Sequence, residues 1–217
     1  MALQIERKAR TRGAILDAAE RLFERQGYAA TTMAAISAEA GVALKTVYLA
    51  FETKSGVLRA LWNLLLRGDE GEAPVAERSW YREVIAEQDP ERQLRLNARN
   101  SRAVKTRIAG VLKVIRNAAP VDPDIGALWE RIQAEFHANQ RVIVERLAER
   151  KALRRGLDVD RATDVLWTLN HPDVWQLLVA ERSWTPEQYE QWFGDATCGQ
   201  LLRRPTRRKP RGPAGRR

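Results

Sequence analysis

The stretch "GVALKTVYLAF", Gly41 to Phe51, decides the fold, and its meaning depends on what precedes it. Upstream, "TTMAAISAEA" places Thr32 where a helix N-cap belongs, with Met33, Ile36 and Ala40 spaced to lie on one face. Gly41 stands where a helix commonly ends in a left-handed residue. Leu44 to Phe51 then predicts a second short helix whose Val47 and Phe51, four apart, face inward. Helices this short are not stable alone, so they need a lid. Residues 7–26 supply one: Ala14, Ile15, Ala18, Ala19, Leu22 and Phe23 share a face, and Gly27 follows. Two short helices across a tight glycine turn, covered by a third, form a helix-turn-helix, which presents its second helix to the DNA major groove.

With Val47 and Phe51 inward, Leu44, Lys45 and Tyr48 fall towards the groove and Leu49 partly so. The tip carries a single charge, although base edges are matched by Arg, Lys, Asn or Gln. Lys45 is the evident candidate for a guanine or phosphate contact, while Ala43 and Leu44 offer apolar contact, for example to a thymine methyl. Plainer roles compete: Tyr48 as a half-buried core residue, Leu44 packed inward, Lys54 as a solvated charge.

Working outward, Thr53 predicts an N-cap for a helix carrying Val57, Leu58, Leu61, Trp62, Leu64 and Leu65. "RGDEGEAP", Arg67 to Pro74, reads as a loop. Further helices are predicted at 76–87 and 91–118, the second with Val104, Ile108, Val111, Leu112 and Ile115 inward. The next starts at the Asp122-Pro123 cap and carries Ile125, Leu128, Trp129, Ile132, Phe136, Ile143 and Leu147. Another spans 160–170, breaks near Pro172 and continues from Val174 to Arg182. The last opens at "TPEQ", a capping box of Thr185 and Gln188 with Pro186 at its first position. Strand alternation of useful length and short repeats are both missing from the pattern. The expectation is an all-α chain: a DNA-binding unit over 1–56 with its helix-turn-helix at 32–51, a helical ligand-binding and dimerisation unit over 57–202, and a tail over 203–217.

The net charge of +9 sits mostly in that tail, "RRPTRRKPRGPAGRR", which holds 8 Lys/Arg and no acid and so leaves +1 for residues 1–202. Its composition predicts disorder. It either attracts DNA phosphates without sequence preference or simply solubilises the chain. No apolar run approaches the roughly 20 residues of a membrane span, and the basic start lacks the apolar stretch of a secretory signal. A single cysteine, Cys198, excludes an intrachain disulfide and a thiolate metal cluster, and a reducing cytoplasmic setting is expected. Two histidines and one cysteine leave little for a metal site, and no nucleophile elbow, zinc-binding helix, P-loop or dinucleotide loop occurs. The chain is thus expected to be no enzyme, with no catalytic residue, metal or cofactor.

Taken together, "AAERLFERQGYAATTM", "ISAEAGVALKTVY" and Phe51-x-x-Lys54 resemble the N-terminal domain of TetR-type transcriptional regulators over about residues 8–62. The remainder is similar to that family's ligand-binding half in layout, and "ERSWTPEQYEQWF" is similar to the closing helix of many members. The resemblance implies DNA contacts at the positions of Thr32, Leu44, Lys45, Thr46, Tyr48, Leu49 and Lys54. Thr32, Tyr48 and Lys54 match phosphate-binding positions, and Thr46 one that lies near the backbone. Such contacts orient a protein on DNA without reading sequence. The implied partners are a palindromic double-stranded operator, a second copy of the chain and a small-molecule effector.

All seven Trp lie beyond residue 56, a load compatible with an apolar cavity as much as with a core or interface. Trp129, Phe136, His137, Trp167, Asn170 and His171 are the candidate effector contacts. Tyr189, Trp192, Phe193 and Ala196 fit the family's dimer helices. Arg92, Arg95, Arg99 and Arg102 form one helical stripe, either a solvated face or an acidic partner's site. The expected function is a sequence-specific regulator, a repressor released by its effector. The alternatives are an effector-independent architectural DNA-binding protein, and a helical small-molecule binder with a vestigial head.

Overall fold

The computed structural model describes residues 2–67 and 75–203. The expectations for the 68–74 loop and the 204–217 tail lie outside the described residues. The chain is all-α. Helix α1 is Ala2–Ala30, α2 Met33–Glu39, α3 Leu44–Phe51 and α4 Lys54–Arg67. They are followed by α5 Ser79–Ala86, α6 Pro90–Ala118 and α7 Pro123–Glu149. Then come α8 Val159–Leu169, α9 Pro172–Trp175, a wider π-type turn over Gln176–Glu181, and α10 Pro186–Leu201. Extended pairing among the described residues is limited to an isolated bridge between Leu153 and Leu202.

The caps explain most boundaries. Thr32 Oγ1 accepts from Ala35 N at 3.0 Å, Asp89 caps α6, and Asp122 caps α7 with Pro123 at its first position. Thr53 Oγ1 accepts from Gly56 N at 2.9 Å and sets the start of α4. Thr185 and Gln188 close a reciprocal capping box on α10, which satisfies two otherwise orphaned donors. Two glycines turn the chain as only glycine does readily: Gly27 (φ 79) kinks α1 one turn before its end, and Gly41 (φ 65) makes the turn between α2 and α3. Pro172 separates α8 from α9.

Most expected inward positions are buried, including Ile15, Leu22, Phe23, Met33, Ile36, Val47, Phe51, Ile108, Leu112 and Ile115. Leu64 departs from expectation, because it turns to the exposed side of α4. Two apolar clusters fill the molecule. The first runs without a seam from Ile15 and Phe23 through Val47 and Phe51, across Val57, Leu58, Leu61 and Trp62, to Ile108–Ala118 and Ile125–Ile132. The second joins α5, the first half of α6, the second half of α7, α8 and α10. No single helix among the described residues is long and apolar enough to cross a membrane.

Candidate nucleic-acid interface and the cavity behind it

Helices α2 and α3 meet at a bend of 113°, within the range that aims the second helix of a DNA-reading pair away from its scaffold. Val47 and Phe51 anchor α3 inward, which leaves Leu44 40%, Tyr48 48% and Leu49 77% exposed. Lys45 is exposed beside them and Thr46 is half-buried. Leu44 and Tyr48 are thus each about half open to solvent, and neither belongs to the two apolar clusters. Thr32 is exposed at the start of α2 with its hydroxyl engaged as the cap.

Lys54 is placed differently from a solvated charge. Its Nζ donates to the Tyr28 carbonyl at 2.8 Å and lies 4.1 Å from the centre of the Tyr28 ring. Burial lowers its pKa from the ordinary value, against the opposing pull of Asp122. Lys54 thus fastens α4 to the end of α1, and any phosphate must compete with that contact.

The pattern of α1 holds a further group that sequence reasoning passed over. Arg7, Lys8 and Arg10 are exposed on its first turns, next to Arg12, whose guanidinium donates to Ala50 O at 2.9 Å and stacks over Phe51. Four basic residues within six positions were the available signal. Arg12 joins α1 to the end of α3, so the basic turn extends the α3 face.

Behind this unit, α4, α5, α6 and α7 enclose a cavity of about 120 Å³. Its walls are mostly apolar: Trp62 and Leu66 from α4, Trp80 and Tyr81 from α5, Val104, Ile108 and Leu112 from α6, Ile132 and Phe136 from α7. Asn170 also lines it. Of the six expected effector contacts, Phe136 and Asn170 are brought to this space and four are not. Trp129 lines a separate depression with Arg116 and Asp173. His137, Trp167 and His171 form a ring-edge series at the α7–α8 seam, with centroids 6.1 and 4.9 Å apart, and are not among the residues that line the cavity. His137 pairs there with Asp164 at 3.2 Å. Spacing alone could not separate the two faces of α7, since both are half apolar.

Lys105 was missed because it interrupts the apolar stripe of α6 and so reads as a surface residue. It is buried in the cavity wall, where its Nζ donates to Ser101 Oγ and Tyr189 OH at 2.8 Å each, and to Asn170 Oδ1. Burial pushes its pKa well below the ordinary lysine value.

The expected dimer face needs correction at two positions. Tyr189 and Phe193 are fully buried within the protomer, stacked on each other at 5.8 Å beneath α6 and Trp175, so neither meets a partner. Trp192 and Ala196 are half-buried, and Trp192 forms an edge contact with Trp184 at 6.2 Å on the outer side of α10. The α6 arginine stripe is a surface lattice of ion pairs. Arg95 bonds Glu91 and Asp195, Arg99 meets Glu83, Arg92 meets Glu87, and Arg102 meets Glu187 and Glu190. These pairs tie α10 and α5 to α6, and each contributes little on its own.

One connection joins interface and cavity. Tyr28 OH donates to Asp122 Oδ2 at 2.5 Å, and Ser55 Oγ donates to Asp124 Oδ2 at 3.0 Å. Asp122 also caps α7 through Oδ1, which accepts from Asp124 N and Ile125 N. The N-terminus of α7 is therefore bolted to α1 and α4, while its middle lines the cavity. Burial, then the bond to Asp122, push the Tyr28 hydroxyl pKa upward.

Comparison with known proteins agrees with this layout. Residues 15–61 match the model for "Bacterial regulatory proteins, tetR family". The chain is similar to the protein named "Probable HTH-type transcriptional regulator ArpR" of Pseudomonas putida, 29% identical over 165 residues that cover 72% of this chain and 75% of that one. Its fold is similar to that of NalD, the secondary repressor of the MexAB-OprM multidrug efflux pump in Pseudomonas aeruginosa. The TM-score is 0.69 at 22% identity, covering 91% of this chain and 98% of that one. It is similar again to SmeT of Stenotrophomonas maltophilia in a complex with triclosan, with a TM-score of 0.67 at 19% identity, covering 88% and 91%.

Proposed function

We propose that this chain is a TetR-type transcriptional regulator, a homodimeric repressor whose grip on a palindromic operator is released by a small molecule held in the α4–α7 cavity; the family match over residues 15–61 supports that reading. The observation that carries this reading is the outward face of α3. Leu44, Lys45, Tyr48 and Leu49 project from a helix whose opposite side is locked into the core, a design suited to the major groove. Lys45 is the base-reading candidate, and Leu44 and Leu49 offer methyl contacts. Thr32, Thr46, Tyr48 and Lys54 supply or support backbone contacts, joined by the basic start of α1. With so few hydrogen-bonding tips, DNA shape and half-site spacing carry the rest of the selectivity.

One such unit reads few base pairs, so a two-fold pair of chains is needed to read an extended site. The outer side of α10, with Trp184, Trp192 and Ala196, is the proposed interface. NalD and SmeT, similar in fold, support a repressor role, and the triclosan complex supports a small-molecule effector. Release works as a population shift. A ligand between α4 and α7 favours one relative placement of these helices, and the Tyr28–Asp122 and Ser55–Asp124 bonds carry that placement to the head. Cytoplasmic action follows from the regulatory role.

The test is selection of bound DNA from random sequence with the full chain at two salt concentrations. An enriched palindrome, with affinity that falls as salt rises, is expected. Binding without any enriched motif would overturn the reading and leave a nonspecific DNA-binding protein.

A further inference from the structure

Lys105 is the feature that neither the fold nor DNA binding explains. It is only 5% exposed and stands among Val104, Ile108 and the cavity's aromatic rings. Its three bonds go to Ser101, Asn170 and Tyr189, none of which carries a negative charge. Among the described residues no carboxylate pairs with it. The titratable neighbours are Tyr189 from α10, His171 ahead of α9, and Arg116 on α6, which is itself paired with Asp173 of α9. Glu135 of α7 reaches the cavity at its exposed rim. A buried ammonium without an anion is costly, and burial accordingly drives Lys105 towards its neutral form.

A second donor points the same way. Gln133 Nε2 is buried in the cavity wall with no partner. Its orientation follows from its neighbours. His171 Nδ1 accepts from Asp173 N at 3.2 Å, which leaves Nε2 to donate to Gln133 Oε1 at 3.3 Å. The Gln133 amide oxygen is therefore occupied and its NH2 group is free. Lys105 is held by Asn170 and Gln133 by His171, so the two donors lie at one end of the cavity. Two other buried donors have no partner: Asn97 Nδ2 sits two turns of α6 before Lys105, about 12 Å along the helix and out of reach of the same head group, and Trp167 Nε1 belongs to a residue that does not line the cavity. At this end of the apolar space a buried amine is held only by neutral acceptors, beside an amide NH2 that has none. An acidic oxygen pair would take the place of one neutral acceptor on Lys105 and satisfy Gln133. The volume of about 120 Å³ is close to that of cavities of about 150 Å³ that admit one benzene ring.

We infer that this cavity takes an apolar monocarboxylic acid of about one ring's size, its carboxylate seated between the Lys105 ammonium and the Gln133 amide. This rests on the effector reading above and names the chemistry of that effector. A carboxylate there would favour the protonated form of Lys105, the basic residue among the described lining, and the body meets Trp62, Ile108 and Phe136.

Isothermal calorimetry of the full chain tests it with two probes: benzoate, and nitrobenzene, which has the same shape and electron count without the charge. Benzoate is expected to bind about tenfold more tightly or better. Lys105→Met keeps the aliphatic stem and removes the charge. It should lose about tenfold in benzoate affinity while nitrobenzene is unchanged, with a thermal melt checking that the variant folds. Gln133→Leu provides a second variant, with a smaller loss expected for benzoate. Equal benzoate affinity in wild type and both variants overturns the inference. So does a wild type that binds nitrobenzene but not benzoate, or that binds neither probe. Any of these results leaves the operator-selection experiment free to succeed, and failure of that experiment leaves the benzoate result standing.

Discussion

The bond between Tyr28 and Asp122 is the most direct mechanical tie between the head and the body, and its strength can be worked out. Tyr28 is 7% exposed and its hydroxyl donates to a carboxylate oxygen at 2.5 Å. Hydrogen bonds to charged groups contribute about 1.5–3 kcal/mol. Tyr28→Phe removes only this bond. The ring keeps its stack on Phe23 at 5.7 Å and its place under Lys54, whose hydrogen bond goes to the Tyr28 backbone. Asp122→Ser preserves a capping oxygen for α7 but is too short to reach Tyr28. Urea unfolding of wild type, both single variants and the double variant, at one fixed protein concentration, closes a double-mutant cycle. A coupling of about 1.5–3 kcal/mol is expected. Additivity within about 0.5 kcal/mol would refute the tie and with it the proposed route from cavity to head.

Three further outcomes are expected. Gly56→Ala would drive a methyl into the Phe51 carbonyl oxygen, which is backbone and cannot swing aside, so a loss of about 1–3 kcal/mol should appear in thermal melts. Gly110→Ala meets only the carboxylate end of Glu24, which can move, and should cost less. In binding assays Lys45→Ala should relax base preference, whereas Tyr48→Phe should weaken all sequences alike and leave preference intact, the reverse pattern contradicting the division of roles on α3. The His171 pKa is lowered from 6.5 by burial, opposed by Asp173 and aided by the Arg116 and Lys105 charges. The folded chain therefore binds fewer protons there than the unfolded chain, and stability is lost as pH falls below the unfolded value. Thermal melts from pH 7.5 to 5.5 should show a smaller fall for His171→Gln than for wild type.

Local signals carried the head. Thr32, Gly41, Thr53 and Thr185 mark helix ends through bonds that span three or four residues, and such bonds are readable from spacing. Val47 and Phe51 fix the rotation of α3, and with it the exposure of Leu44, Tyr48 and Leu49, because a helix of two turns has one buried side. Long helices defeat the same reasoning. α10 buries Tyr189 and Phe193 on one flank and leaves Trp192 on another, so an aromatic pattern did not tell core from interface. α7 likewise serves the cavity with Phe136 and the α8 seam with His137, one position apart. Lys105 was hidden for a different reason. Its partners Asn170 and Tyr189 are 65 and 84 residues away in sequence, and only the tertiary fold brings them to it.

The seamless apolar cluster that runs from Ile15 to Ile132 bears on how this protein can be rebuilt. A chimera that joins its first 56 residues to the body of a relative would cut between Phe51 and the residues that complete its core, Leu58, Leu61 and Trp62. It would also part Tyr28 from Asp122. Swapping operator preference should therefore succeed by regrafting the exposed residues of α3 onto this scaffold, and fail by exchanging whole heads unless α4 and the α6–α7 corner travel with them.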